Sequence, residues 1–70
     1  MKIMLNTDEV MARAKSLGID RLSALCQAAG ANYSTIRNNI SIRAGISIEN
    51  AYLLSDYLGC TINDIITAEW

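Results

Sequence analysis

The strongest constraint on this chain lies in residues 20–41, where two short helical patterns are separated by a single glycine. Leu22, Leu25, Cys26 and Ala29 stand at i, i+3, i+4 and i+7, which is one apolar stripe of a helix. Gly30 follows at the point where a helix ends in a left-handed residue, a conformation that costs glycine little. Asn32 is then placed to cap a second helix with its side-chain oxygen. That helix, expected over about 32–42, has only Ile36 and Ile40 as strong apolar residues. Tyr33, Ser34, Arg37 and Asn38 fall at i, i+1, i+4 and i+5 and share a polar face. Arginine pairs with the O6 and N7 atoms of guanine and asparagine with adenine, so such a face suits the major groove of DNA. The bland alternative is the solvated side of an ordinary amphipathic helix.

Seventy residues predict one domain spanning 1–70 with a small core. The chain has no histidine and no glycine-rich phosphate loop, and its two cysteines lack metal-ligand spacing. An enzyme, a metal site and a cofactor are therefore not expected. Cys26 and Cys60 read as small apolar residues of a cytoplasmic protein rather than as a disulfide. No apolar run has the length of a membrane span. The net charge of −1 is unevenly spread: residues 10–48 carry five basic groups against Asp20 alone, and residues 49–70 carry four acids and no base. Such asymmetry allows a positive face despite an acidic total.

In chain order, Asn6 and Glu9 predict a capping box for the first helix, with Leu5 and Val10 as its hydrophobic staple. Val10, Ala14 and Leu17 face inward, Arg13 and Lys15 lie off that stripe, and Gly18 ends the helix. Asp20 is expected to cap the second helix, leaving Arg21 and Ser23 in its first turn as candidate phosphate contacts. Asn32, Ser41 and Arg43 complete that backbone-contact set, Arg43 lying in a connecting loop. Ser47 caps a fourth helix with Ala51, Leu54 and Leu58 inward, ended by Gly59. Thr61 and Asp64 form a second capping box, before an inward stripe of Ile62, Ile65 and Ile66. Lys2 to Leu5 could be briefly extended. The fold class expected is all-α, a compact five-helix domain.

The Leu25-Cys26 pair, Gly30, and Asn32-x-Ser34-Thr35-Ile36, followed by residues 47–66 with their Leu58-Gly59 stop, resemble the lambda-repressor-like (Cro/XRE) helix-turn-helix proteins. The resemblance runs from about Asp8 to Ile66. It departs from the family at Leu22, where a phosphate-contacting glutamine is usual, and at Asn39, where an apolar residue is usual. It implies a sequence-specific regulator of the phage or mobile-element repressor type, bound to a double-stranded operator. A protein-interaction module on the same fold, such as an anti-repressor or antitoxin, is the alternative, with a regulatory protein as its partner. Leu53, Tyr57, Ile66 and Trp70 exceed what a small core uses and are the candidate surface of a homodimer.

Overall fold

The computed structural model describes residues 2–69, and the first and last segments of these pair with each other. Strand β1 (Lys2–Leu5) pairs antiparallel with strand β2 (Ile66–Glu69), in the register Lys2 with Glu69, Ile3 with Ala68, Met4 with Thr67 and Leu5 with Ile66. Between them run α1 (Thr7–Ser16), α2 (Leu22–Ala29), α3 (Tyr33–Ser41), α4 (Ile48–Leu58) and α5 (Ile62–Ile65). The described residues are thus mostly helical, with five helices, which agrees broadly with the expected all-α class and adds a small two-stranded ribbon to it. Ile66 belongs to that ribbon instead of the last helix. One residue after Ile65 the side-chain period changes from that of a helix to that of a strand, and the β-branched pair Ile66-Thr67 favours the change. Where the ribbon enters α1, the Asn6 N–H donates to the Ile65 carbonyl at 2.8 Å.

The core is built from one or two side chains of each helix. Val10 and Ala14 come from α1, Leu25 and Cys26 from α2, Ile36 from α3, Ala51 and Leu54 from α4, and Ile65 from α5. Ile46, in the loop before α4, completes the buried set. α2 packs on α4 and α3, and α5 packs on α4 and α1. Cys26 and Cys60 are free thiols; burial pushes both above the ordinary cysteine range, Cys26 lying within the core and Cys60 half-buried at its margin.

Helix boundaries follow the expected chemistry with instructive exceptions. The Asn6 carboxamide accepts from the Glu9 N–H at 3.2 Å, but the reciprocal half of the box is absent. The Asn6 N–H is taken by Ile65, and the Glu9 carboxylate pairs with Arg13 at 2.8 Å one turn further on. Leu17, expected inside, is 52% exposed because it is the last residue before the left-handed Gly18 that ends α1. Thr61 and Asp64 form their box: the Asp64 carboxylate accepts from both the Thr61 N–H and its hydroxyl, each at 3.0 Å. These bonds from Thr61 are the main reason that the Asp64 carboxyl lies below its ordinary pKa.

Candidate nucleic-acid interface

Helix α3 is suspended between its neighbours by few contacts. Its first N–H groups are capped by Asn32, whose side-chain oxygen accepts from the Thr35 N–H at 3.1 Å. The Asn32 N–H donates to the side-chain oxygen of buried Asn50 at 3.4 Å, which ties the start of α3 to α4. Within the helix only Ile36 is fully buried. Gly30 holds the turn before it at φ 77°, donating its N–H to Gln27, so that two helix axes can cross after an eight-residue α2.

The rest of α3 faces out. Tyr33, Ser34, Arg37, Asn38 and Ser41 line one shallow hollow of about 360 Å³, formed by that helix alone. Four of these are the residues expected to reach base edges. Ser41, expected at the phosphate backbone, joins the same face, and its position eight residues after Tyr33 is the sequence signal for that placement. Arg37 has no acidic partner among the described ion pairs. Asn39 and Ile40 turn toward a different hollow, lined also by Met4, Leu5, Ile36 and Ile46.

Arg21, Ser23, Asn32 and Arg43, expected at the phosphate backbone, do not line this hollow. Arg21 and Ser23 are exposed at the start of α2. Arg21 itself occupies the cap position, with φ −129° and ψ 138°, and no side chain caps α2 there. The capping role expected of Asp20 is therefore corrected: it lies one residue too early. The cap oxygen of Asn32 is already used within α3.

Arg43 lies in an unexpected conformation. Ala44 N–H donates to the Asn39 carbonyl at 2.8 Å and Arg43 N–H to that of Ile40 at 3.2 Å, the paired bonds that normally end a helix on glycine. Arg43 takes the glycine position at φ 56°, and is the one non-glycine residue among those described with positive φ. Its guanidinium bonds the Glu69 carboxylate at 3.2 Å, and its carbonyl accepts from the Lys2 ammonium at 3.2 Å. Two residues later Gly45 lies against β1: a Cβ there would stand 3.1 Å from the Ile3 carbonyl oxygen. Ile46 N–H donates to that same oxygen at 2.8 Å. The loop after α3 is thus sewn to the terminal ribbon, a connection involving Lys2, Gly45 and Glu69 that sequence reasoning missed.

Of the expected dimer surface, Tyr57 is exposed and Leu53 half-buried, both on one edge of α4. Ile66 is half-buried against the chain's own core, and Trp70 lies outside the described residues. Further apolar side chains are in water: Ile42 and Ile48 are 63% and 61% exposed, and Tyr52, one turn after Ile48, is 58% exposed. Among the described residues no acidic, cysteine or histidine group of three or more is placed to hold a metal, and no helix is long and apolar enough to cross a membrane.

The fold and face together describe a small helical domain presenting one polar helix surface. The chain matches no family model, no curated protein and no solved structure.

Proposed function

We propose that this chain is a sequence-specific double-stranded DNA-binding regulator of transcription, a repressor of the phage or mobile-element type with the lambda-repressor-like helix-turn-helix arrangement. The observation that carries this reading is the gathering of Tyr33, Ser34, Arg37, Asn38 and Ser41 on the free side of a helix anchored by one buried residue. In this reading α3 enters the major groove, Arg37 and Asn38 reach base edges, and Tyr33, Ser34 and Ser41 line the same contact. Arg21, Ser23 and Arg43 meet the phosphate backbone and set the orientation of α3 without reading sequence. Repression is steric: an occupied operator excludes a competing protein. A two-fold dimer built on the Leu53 and Tyr57 edge of α4 doubles the groove contacts across a palindromic site.

A protein-interaction module is the second reading, favoured by one observation: Ile42, Ile48 and Tyr52 leave apolar surface in water beside the loop that follows α3. Selection from a pool of random duplexes, read by sequencing, separates the two. The DNA reading expects an enriched site and a loss of about 1–3 kcal/mol for Arg37→Ala, with relaxed preference at one base pair. A pool that stays random after repeated rounds would refute it.

A further inference from the structure

The best-connected feature outside the α3 face is the junction of Arg43 with the terminal ribbon. Arg43 and Glu69 are separated by 26 positions in sequence, and their side chains are 75% and 46% exposed. An ion pair this open is worth little to the fold and is readily exchanged for another partner. Its setting is not that of a casual surface pair. The arginine is held in a left-handed backbone conformation that disfavours non-glycine residues, and its carbonyl is bonded by Lys2. No acidic residue occurs between Arg21 and Ile48, so the basic loop receives its counter-charge from a distant strand. A carboxylate presents an arginine with the same planar pair of acceptor oxygens that two oxygens of a phosphodiester present.

We propose that Glu69 is an internal competitor for a nucleic-acid phosphate at Arg43, and that binding exchanges this carboxylate for a backbone phosphate, with Lys2 beside it as a second cation for the same phosphate. The inference rests on the DNA-binding reading above and adds to it a residue, Lys2, and a regulatory contact, Glu69. Lys2 is included because its ammonium donates to the Arg43 backbone carbonyl, which brings a second positive charge to the same loop. The exchange lowers affinity for every duplex equally, since phosphate contacts carry no sequence information.

A double-mutant cycle tests it, using the full chain and the duplex enriched by selection together with an unrelated duplex. Glu69→Gln is expected to tighten binding of both duplexes roughly two- to five-fold at low salt, the range of an exposed ion pair. In an Arg43→Gln background the same change is expected to leave affinity unaltered. Lys2→Gln is expected to weaken both duplexes and to reduce the gain from Glu69→Gln. The ribbon is paired through its backbone, so all variants should keep the wild-type circular dichroism spectrum, which is checked first. An equal gain from Glu69→Gln with and without Arg43 would overturn the proposal, since the effect would then be a general loss of negative charge. No gain in either background would overturn it as well. Failure of the wild-type chain and the Glu69→Gln variant to bind any duplex would remove the DNA reading and this inference together, and the absence of any complex distinguishes that failure from the others.

Discussion

Ile36 is the only fully buried side chain of α3, at 1% exposure, so shortening it tests how that helix is held. Ile36→Ala removes three carbon atoms. At about 0.8 kcal/mol per carbon the lost transfer free energy is ~2.4 kcal/mol, and the unfilled space brings the total to about 3–4 kcal/mol. A 70-residue domain has roughly 3.5–10 kcal/mol of stability in all. The substitution therefore takes a third or more of it. Protection should also be uneven. α1, α2 and α4 each contribute two or more buried residues, whereas α3 contributes one. Urea denaturation gives the global loss, and amide hydrogen exchange gives the order in which helices open. Exchange within α3 should accelerate by roughly 10²–10³-fold, at about 1.4 kcal/mol per decade, and α3 should exchange faster than α4 in both proteins. A global loss under about 1 kcal/mol, or α3 amides as well protected as those of α4, would refute the idea that Ile36 alone seats α3.

Three further outcomes are expected. Arg21→Gln should weaken binding to every duplex and lower the slope of log affinity against log salt by about one, whereas an unchanged slope would remove Arg21 from the phosphate contacts. The Asp64 carboxyl is held below its ordinary pKa of 3.8 by Thr61, so its contribution is fully present above the unfolded value and is lost as pH falls through the lower folded one. The melting-temperature difference between wild type and Asp64→Asn should therefore shrink as pH is lowered through about 4, and a difference that persists unchanged at low pH would contradict the capping box. Light scattering with operator present should give two chains per duplex, and Leu53→Glu should reduce this to one; one chain per duplex in the wild type would discard the dimer.

Much of the helical frame was legible because its signals are local. Gly30 and Asn32 adjoin the residues whose backbone groups they satisfy, and Ser47 and Gly59 bracket α4 in the same way. The exposed face of α3 was legible as a spacing, apart from Ser41, which the sequence reading set with the phosphate contacts. The ribbon was only half legible. Lys2 to Leu5 shows extended character, but its partner lies at the other end of the chain, and a four-residue strand has too short a pattern to name that partner. The end of α3 was obscured because an arginine occupies a position where the expected signal is glycine. The side-chain partners of Glu9 and Arg43 were missed for a related reason: a charged group with two possible partners is assigned by geometry, which spacing alone does not supply.

The register that sets Lys2 opposite Glu69 also decides how this domain answers to mechanical load. A force applied through the two ends pulls the strands apart at their adjacent tips, along the direction of the ribbon's own hydrogen bonds. The bonds then break one after another, as a zipper opens, instead of sharing the load as they do when strands are sheared lengthwise. The first pair to part carries Lys2 and Glu69, the two residues that grip Arg43. Such tension would thus release Arg43 first, while the Ile46 N–H still holds the loop to Ile3.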